Sequence, residues 1–278
     1  MKLIVQGAFL SPSDIDILSR LSHASGVEHT GKNVWRFNDV KGSNTTAIQE
    51  HCLQLRADAA FLESTVSLLD YKLVAMDMDC TFIQIECIDE IAGLYGVKEQ
   101  VSAITHAAMN GELDFNESLA KRVALLKGMD ESTLQKVFDE KLRLSPGAVE
   151  MLDVLQQAGI KTLLVSGGFT FFAEKLKNQY KLDYTRANVL DIVDGKLTGK
   201  IIGTIVNAEE KAKTLLGCCE ELGISPAATI AIGDGANDLK MLHSAGLSIA
   251  YHAKPKVKQQ ANLAFDYVGL DGVVNLFK

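Results

Sequence analysis

The run Leu73-Val74-Ala75-Met76-Asp77-Met78-Asp79-Cys80-Thr81 decides the fold. Up to Asp77 it is apolar at every position, without the polar alternation of a strand that has one face in water. Leu73 to Met78 therefore reads as a parallel strand covered on both sides. Two carboxylates, Asp77 and Asp79, stand two residues apart at its end, and a strand's period of two sends both to the same side of the sheet. The carboxyl ends of parallel strands are where open α/β sheets place their ligands. A D-x-D pair also occurs at ordinary strand-end turns, so the rest of the chain has to choose between the two readings.

Downstream, Lys161 to Val165, Thr229 to Ile232 and the shorter Leu247 to Ala250 repeat the continuous apolar pattern. Helical periodicity over 147–158, 170–180, 208–222 and 236–244 alternates with them, which predicts a Rossmann-like α/β fold, a parallel sheet with helices on both faces. Between the first strand and Pro146 about 60 residues read as wholly helical, near 86–95, 97–109, 114–127 and 130–141, far longer than a usual crossover. A helical cap inserted at about 84–144 is expected. Asp194-Gly195 between Val189–Val193 and Lys196–Ile201 predicts a hairpin.

Upstream the order changes. A strand from Lys2 to Ala8 precedes a helix opened by Ser11-Pro12, with Ile15, Leu18 and Leu21 on one face. Strands Val27–Thr30 and Val34–Asp39 flank Gly31-Lys32-Asn33, and a helix from Thr45 to Arg56 leads to a strand near Ala59–Leu62. This β-α-β-β-α-β order is that of a small ferredoxin-like α+β domain over residues 1–68, leaving 69–278 for the parallel-sheet domain. Such modules often bind amino acids or pair with a second copy, so a homodimer or ligand feedback through 1–68 is an expectation from the pattern alone.

The length of 278 residues fits about two domains, and 47% hydrophobic with 23% charged residues excludes a disordered chain. A net charge of −7 without a basic block disfavours a nucleic acid or an anionic membrane as partner. No run approaches the ~18 apolar residues of a membrane helix, and the short apolar start is broken at Gln6 before a signal core develops. Cys52, Cys80, Cys87, Cys218 and Cys219 are odd in number and lack ligand spacing, which argues for a reducing compartment, the cytoplasm, and against structural zinc.

Two further strand ends carry chemistry. Ser166-Gly167-Gly168 offers a hydroxyl and bare backbone amides to a phosphate oxygen, although a strand-to-helix turn can need glycine for conformation alone. Gly233-Asp234-Gly235-Ala236-Asn237-Asp238 places an acid where it can join Asp77 and a backbone carbonyl around Mg²⁺; Asn237 and Asp238 can equally be a helix cap and a first-turn acid. Three strand ends that all suit phosphate or Mg²⁺ are hard to explain as three coincidences.

In order, Asp77-Met78-Asp79-Cys80-Thr81, Ser166-Gly167-Gly168, Lys211 and Gly233-Asp234-Gly235-Ala236-Asn237-Asp238 resemble the four motifs of the haloacid-dehalogenase-like phosphatases. Glu86-Cys87-Ile88-Asp89-Glu90-Ile91-Ala92, with Met109, Phe115 and Arg122, is similar to the phosphoserine phosphatase branch of that superfamily. The likeness runs from about Leu73 to Lys278; residues 1–68 resemble the ACT-like extension of bacterial members only in outline. It implies Asp77 as nucleophile, Asp79 as general acid and base, and Mg²⁺ held by the Asp77 and Asp234 side chains and the Asp79 carbonyl, with Asp238 behind them. It further implies Ser166, Gly167, Lys211 and Asn237 at the phosphoryl group, Glu86 at the substrate ammonium, Arg122 at its carboxylate, and Met109 and Phe115 as apolar wall. The implied substrate is O-phospho-L-serine.

Each residue also has a plain alternative: Lys211 as a solvated helix lysine, with Lys213 the neighbour it is confused with, Glu86 as a first-turn acid, Arg122 as an exposed helix residue, Met109 and Phe115 as core. Cys80 departs from the serine or glycine usual at its position, and Thr81-Phe82-Ile83-Gln84-Ile85-Glu86 lacks the arginine that a cysteine phosphatase loop needs. Two other functions stay open at this point. One is a phosphotransferase passing the phosphoryl group to an alcohol such as homoserine, and the other is a non-catalytic amino-acid sensor.

Overall fold

The computed structural model describes residues 1–41, 44–109 and 111–278, without the side chain of Met109. The chain begins with β1 (Lys2–Gln6), α1 (Pro12–Ser22), β2 (Gly26–Gly31), β3 (Val34–Asn38), α2 (Thr45–Leu55) and β4 (Asp58–Leu62). Local chemistry starts α1 where the sequence predicts it: the Ser11 hydroxyl accepts from the Asp14 amide, the Asp14 carboxylate accepts from the Ser11 amide, and Pro12 takes the first helical position. The four strands form an antiparallel sheet in the order β2-β3-β1-β4, the ferredoxin-like arrangement.

Strand alternation then assigns the two faces of this sheet. Leu3, Val5 and Phe37 pack under α1 and α2 with Leu18, Ile48 and Cys52. Ile4, Val34, Ala60 and Leu62 turn the other way and join the core of the rest of the chain, where Tyr71, Val268 and Val273 lie. At that junction the Asp58 carboxylate accepts from the backbone amides of Asp266, Tyr267 and Val268 at 2.8, 2.9 and 3.0 Å, with Asp58 only 5% exposed. Asp58→Ala leaves three amides without their acceptor, which at about 2 kcal/mol lowers the thermal midpoint by roughly 5 °C. Calorimetry reads this, and an unmoved midpoint would mean that the carboxylate does not fasten the small sheet to its neighbour.

The remainder begins at β5 (Leu73–Met76) and passes through α3 (Cys87–Tyr95), α4 (Lys98–Met109), α5 (Phe115–Ala124) and α6 (Ser132–Glu140). It continues with α7 (Ala148–Gln157), β6 (Lys161–Phe169), α8 (Thr170–Tyr180), β7 (Tyr184–Val193), β8 (Lys196–Ile202) and α9 (Ala208–Leu222). The last elements are β9 (Thr229–Gly233), α10 (Leu239–Ser244), β10 (Leu247–Tyr251), α11 (Pro255–Lys258), β11 (Leu263–Phe265) and α12 (Asp271–Asn275). The sheet order is β11-β10-β9-β5-β6-β7-β8, parallel except for the β7–β8 hairpin. Central β5 is buried throughout, and its alternation feeds two cores: Val74 and Met76 enter one, Leu73 and Ala75 the other. The covered parallel sheet expected from the apolar runs is present.

Several boundaries differ from the sequence reading. The first strand ends at Met76, two residues early, because the chain turns at Asp77, and the stretch 236–244 divides into a single 3₁₀ turn (Ala236–Asp238) before α10. Strand β7 starts at Tyr184 instead of Val189, because its first half pairs with β6 and only its second half with β8. The short α11, β11 and α12 carry too few periodic residues to stand out in the sequence.

The helical segment leaves and rejoins the sheet layer through paired linkers. Ile83 bridges Leu144, the Gln84 amide donates to Arg143 O at 2.9 Å, and the Ser145 amide donates to Phe82 O at 2.9 Å. Its far end is fastened as well: Gly128 N donates to Leu197 O, Leu197 N to Met129 O, and Glu131 N to Gly195 O. The β7–β8 hairpin thereby holds the turn between α5 and α6.

Candidate active site

Because β9, β5 and β6 are neighbours, the loops after them meet side by side at the carboxyl edge of the sheet. Asp77 follows β5, Ser166 to Gly168 form an irregular end of β6, and Asp234 follows β9. The sheet thus brings together the three motifs that the sequence holds up to 157 residues apart.

Asp77 is 4% exposed and anchored at both oxygens: Oδ1 accepts from Met78 N at 2.6 Å, and Oδ2 lies 2.8 Å from Lys211 Nζ. Lys211 is fully buried, with its second contact to Asp238 Oδ1 at 2.7 Å. Helix α9 puts it there. Asn207 caps the helix through the amides of Glu209 and Glu210, and Lys211 then falls on the stripe shared by Leu215, Cys218 and Cys219, which faces the core. Lys213 points outward, with its side chain 79% exposed and paired to Glu210. Lys211, and not Lys213, belongs to the site. The solvated-lysine alternative fails on burial.

Charge in the cluster is unbalanced. Burial and then the Asp238 charge push the Asp77 carboxyl up, against the opposing pull of Lys211. Burial also raises Asp79, although Asp79 Oδ1 accepts from Cys87 N, the first amide of α3, at 3.1 Å. Burial and Asp238 push Asp234 up to about 6. Burial alone would lower Lys211, but the charges of Asp238 and Asp77 outweigh it and raise it.

Carboxylate oxygens of Asp77, Asp234 and Asp238 lie within 4.8 Å of one another, an arrangement able to hold a cation. The hydrogen bonds divide the three. Asp238 uses Oδ1 on Lys211 and Oδ2 on the amides of Asp234 and Gly235 at 3.2 and 2.9 Å, so it shapes the loop. Asp77 and Asp234 line the cavity described below and Asp238 does not, so these two are the pair that faces a cation, and Thr81 Oγ1 steadies Asp234 Oδ1 at 3.2 Å. Two hard carboxylate donors whose protons are held too tightly in the absence of a counter-charge fit Mg²⁺.

A cavity of about 640 Å³ opens over these loops, roofed by the helical segment. Asp77, Asp79, Ser166, Gly167, Asp234 and Asn237 line its floor; Glu86, Phe115 and Arg122 line the roof. Glu86 precedes α3 without a side-chain cap bond, so the first-turn-acid alternative does not use its carboxylate. Enclosure in the cleft, then the charges of Asp79 and Asp89, push that carboxyl up to about 8 against the pull of Arg122. Arg122 is not the exposed helix residue of the plain alternative: its Nε is buried without a hydrogen-bond partner among the described residues. Phe115 covers Gly167 so closely that a Cβ there would lie 2.9 Å from its Cζ. The side chain of Met109, expected in the apolar wall, lies outside the described residues. Lysines 254 and 256 also line the cavity, and sequence reasoning missed them because they fall beyond the last motif.

Cys80 has a positive φ of 55°, which explains why the position favours glycine. Burial and the surrounding carboxylates push its thiol well up, so it stays protonated and is no nucleophile. Gly168 is required by proximity: a Cβ would stand 2.5 Å from Asp79 Oδ2.

Known proteins share this architecture and much of this sequence. Residues 71–246 match the haloacid dehalogenase-like hydrolase family. The chain is 52% identical over 218 residues to a phosphoserine phosphatase of Polaromonas sp., covering 77% of this chain and 92% of that protein. It is 42% identical over 273 residues to the phosphoserine phosphatase of Vibrio cholerae, covering 98% of this chain and 83% of the relative. The crystal structure of a probable phosphoserine phosphatase from Vibrio cholerae, in unliganded form, superimposes with a TM-score of 0.86 at 39% identity, over 99% of this chain and 86% of that one. This chain belongs to the haloacid dehalogenase-like hydrolases, and within them to the phosphoserine phosphatases.

Proposed function

We propose that the protein hydrolyses O-phospho-L-serine to L-serine and phosphate with Mg²⁺, through a phosphoryl group carried on Asp77. The observation that carries the substrate choice is Arg122, whose buried Nε lacks a partner among the described residues and which lines the same cavity as the nucleophile. A carboxylate satisfies a guanidinium as a two-donor fork, and Glu86 across the cavity suits the ammonium of an amino acid.

In this reading an Asp77 oxygen attacks phosphorus while the bond from phosphorus to the serine oxygen breaks. Asp79, whose carboxyl burial pushes up, gives its proton to the departing oxygen. Serine leaves, Asp79 takes a proton from water, and that water attacks phosphorus to free phosphate and restore Asp77. Asp77, Asp234 and the Asp79 carbonyl would hold Mg²⁺, which supplies charge neutralisation on the phosphoryl oxygens. Ser166, Gly167, Lys211 and Asn237 hold the phosphoryl group, with Asp238 fixing Lys211. Phe115 shields it from water. Residues 1–68 form an appended unit, and 69–278 the catalytic domain with its cap at about 84–144. No helix among the described residues is long and apolar enough to cross a membrane, and the five thiols are free, in keeping with a cytoplasmic enzyme. Pairing of two copies through the appended unit is read from the mass in solution.

Phosphate release from O-phospho-L-serine, with p-nitrophenyl phosphate as control, tests the reading. Arg122→Ala raises KM for phosphoserine by about 100-fold, as for a lost charge-assisted fork, and leaves the control ester within about twofold. Equal losses on both esters would remove Arg122 from amino-acid recognition. Added homoserine yielding phosphohomoserine in place of phosphate would favour the transferase.

Metal binding should follow pH. The Asp234 carboxyl, ordinarily near 3.8, sits at about 6 in the metal-free fold, so the fold loses stability as pH rises between those values and its carboxyl ionises against Asp238. Mg²⁺ reverses this only once the proton is gone. The rise in melting temperature on adding Mg²⁺ is therefore larger at pH 7.5 than at pH 5.5; a rise of the same size at both would contradict it.

A further inference from the structure

Asn188, in the middle of β7, is 1% exposed and belongs to none of the motifs. Its carboxamide spans two loops. Nδ2 donates to Gly167 O at 2.7 Å, and Oδ1 accepts from Val206 N at 2.8 Å. The orientation of the amide is forced, because a carbonyl oxygen only accepts and a backbone amide only donates. Gly167 O belongs to the same peptide unit as Gly168 N, and Gly168 N donates to Ser166 Oγ at 2.8 Å. Val206 precedes Asn207, the cap of α9, whose carbonyl accepts from the Lys211 amide at 2.9 Å.

We propose that Asn188 is a positioning residue that orients the Ser166 hydroxyl toward the phosphoryl group. The bonds run in series from the Asn188 amide through the 167–168 peptide to Ser166 Oγ, and each polarises the next. With one lone pair of Oγ taken by Gly168 N, the hydroxyl proton is left to point into the cavity that Ser166 lines. Without Asn188 the peptide loses its buried donor and is free to tilt, and the hydroxyl loses its fixed direction.

The inference rests on the reading of Ser166 as a phosphoryl ligand, and a double-mutant cycle separates the two. Asn188→Ala, Ser166→Ala and the double variant are compared in kcat/KM for O-phospho-L-serine at saturating Mg²⁺. Asn188→Ala costs about tenfold in the wild-type background, the size of one hydrogen bond, and less than about twofold once Ser166 is already alanine. Equal tenfold losses in both backgrounds would overturn the inference, since a residue that only braces the fold does not depend on Ser166. Ser166→Ala without effect on its own would instead remove Ser166 from the site. If Asn188→Ala does not fold, the cycle is run with Asn188→Leu, which keeps the buried volume and deletes both hydrogen bonds.

Discussion

Asp77→Asn is expected to lower kcat on O-phospho-L-serine by about 10⁴-fold or more, while the metal-free protein still folds. The amide has nearly the shape of the carboxylate and keeps an oxygen for Met78 N, but it is uncharged and a poor nucleophile. The fold is kept, although the new amide turns an N–H toward Lys211, because the substitution removes one negative charge from a cluster that resists ionisation: Asp77 is raised by burial and by Asp238, and Lys211 keeps Asp238 as its partner. Phosphate release and calorimetry on the same preparation read both halves. Activity within tenfold of wild type would take the nucleophile's role from Asp77.

Lys211→Met should injure fold and function together. The methionine fills most of the volume but leaves Asp77 and Asp238 facing one another, buried, without their shared cation. Breaking a buried pair in this way costs about 3–5 kcal/mol. The cost has a pH signature, since the freed Asp77 carboxylate is relieved by taking up a proton: the gap in melting temperature between wild type and Lys211→Met narrows as pH falls from 8 toward 5. Turnover falls by roughly 10³-fold, with lost placement of Asp77 added to lost charge at the phosphoryl group. A stability gap of constant size across that range would mean that packing, and not charge, is what Lys211 supplies.

Much of the site was legible because the chemistry stands at strand ends. The apolar run Leu73–Met76 allowed only a covered strand, and the carboxylates after it had to emerge at the ligand edge. Lys211 needed more than its type. Its spacing to Leu215, Cys218 and Cys219 places it on the buried stripe of α9, a signal present in the sequence beside the motif match. Asn188 was hidden because the strand reading started at Val189; a polar residue inside Ala187-Asn188-Val189-Leu190 marks a buried amide only once β7 is known to begin at Tyr184. Asp58 could not be read at all, because its three amide donors lie about 208 residues away and exist as a set only in the folded loop at 266–268. The division of labour among Asp77, Asp234 and Asp238 was similarly out of reach, since it depends on which of the three the folded loops turn into the cavity.

The most direct measurement of the central claim is isotope exchange. Wild type turning over O-phospho-L-serine in the presence of labelled L-serine should place label in the phosphoserine pool, because a phosphoryl group resting on Asp77 after serine departs can be returned to a new serine. That exchange should vanish with Asp77→Asn. Hydrolysis by wild type with no exchange at any serine concentration would show that water attacks the substrate directly, and would contradict the account.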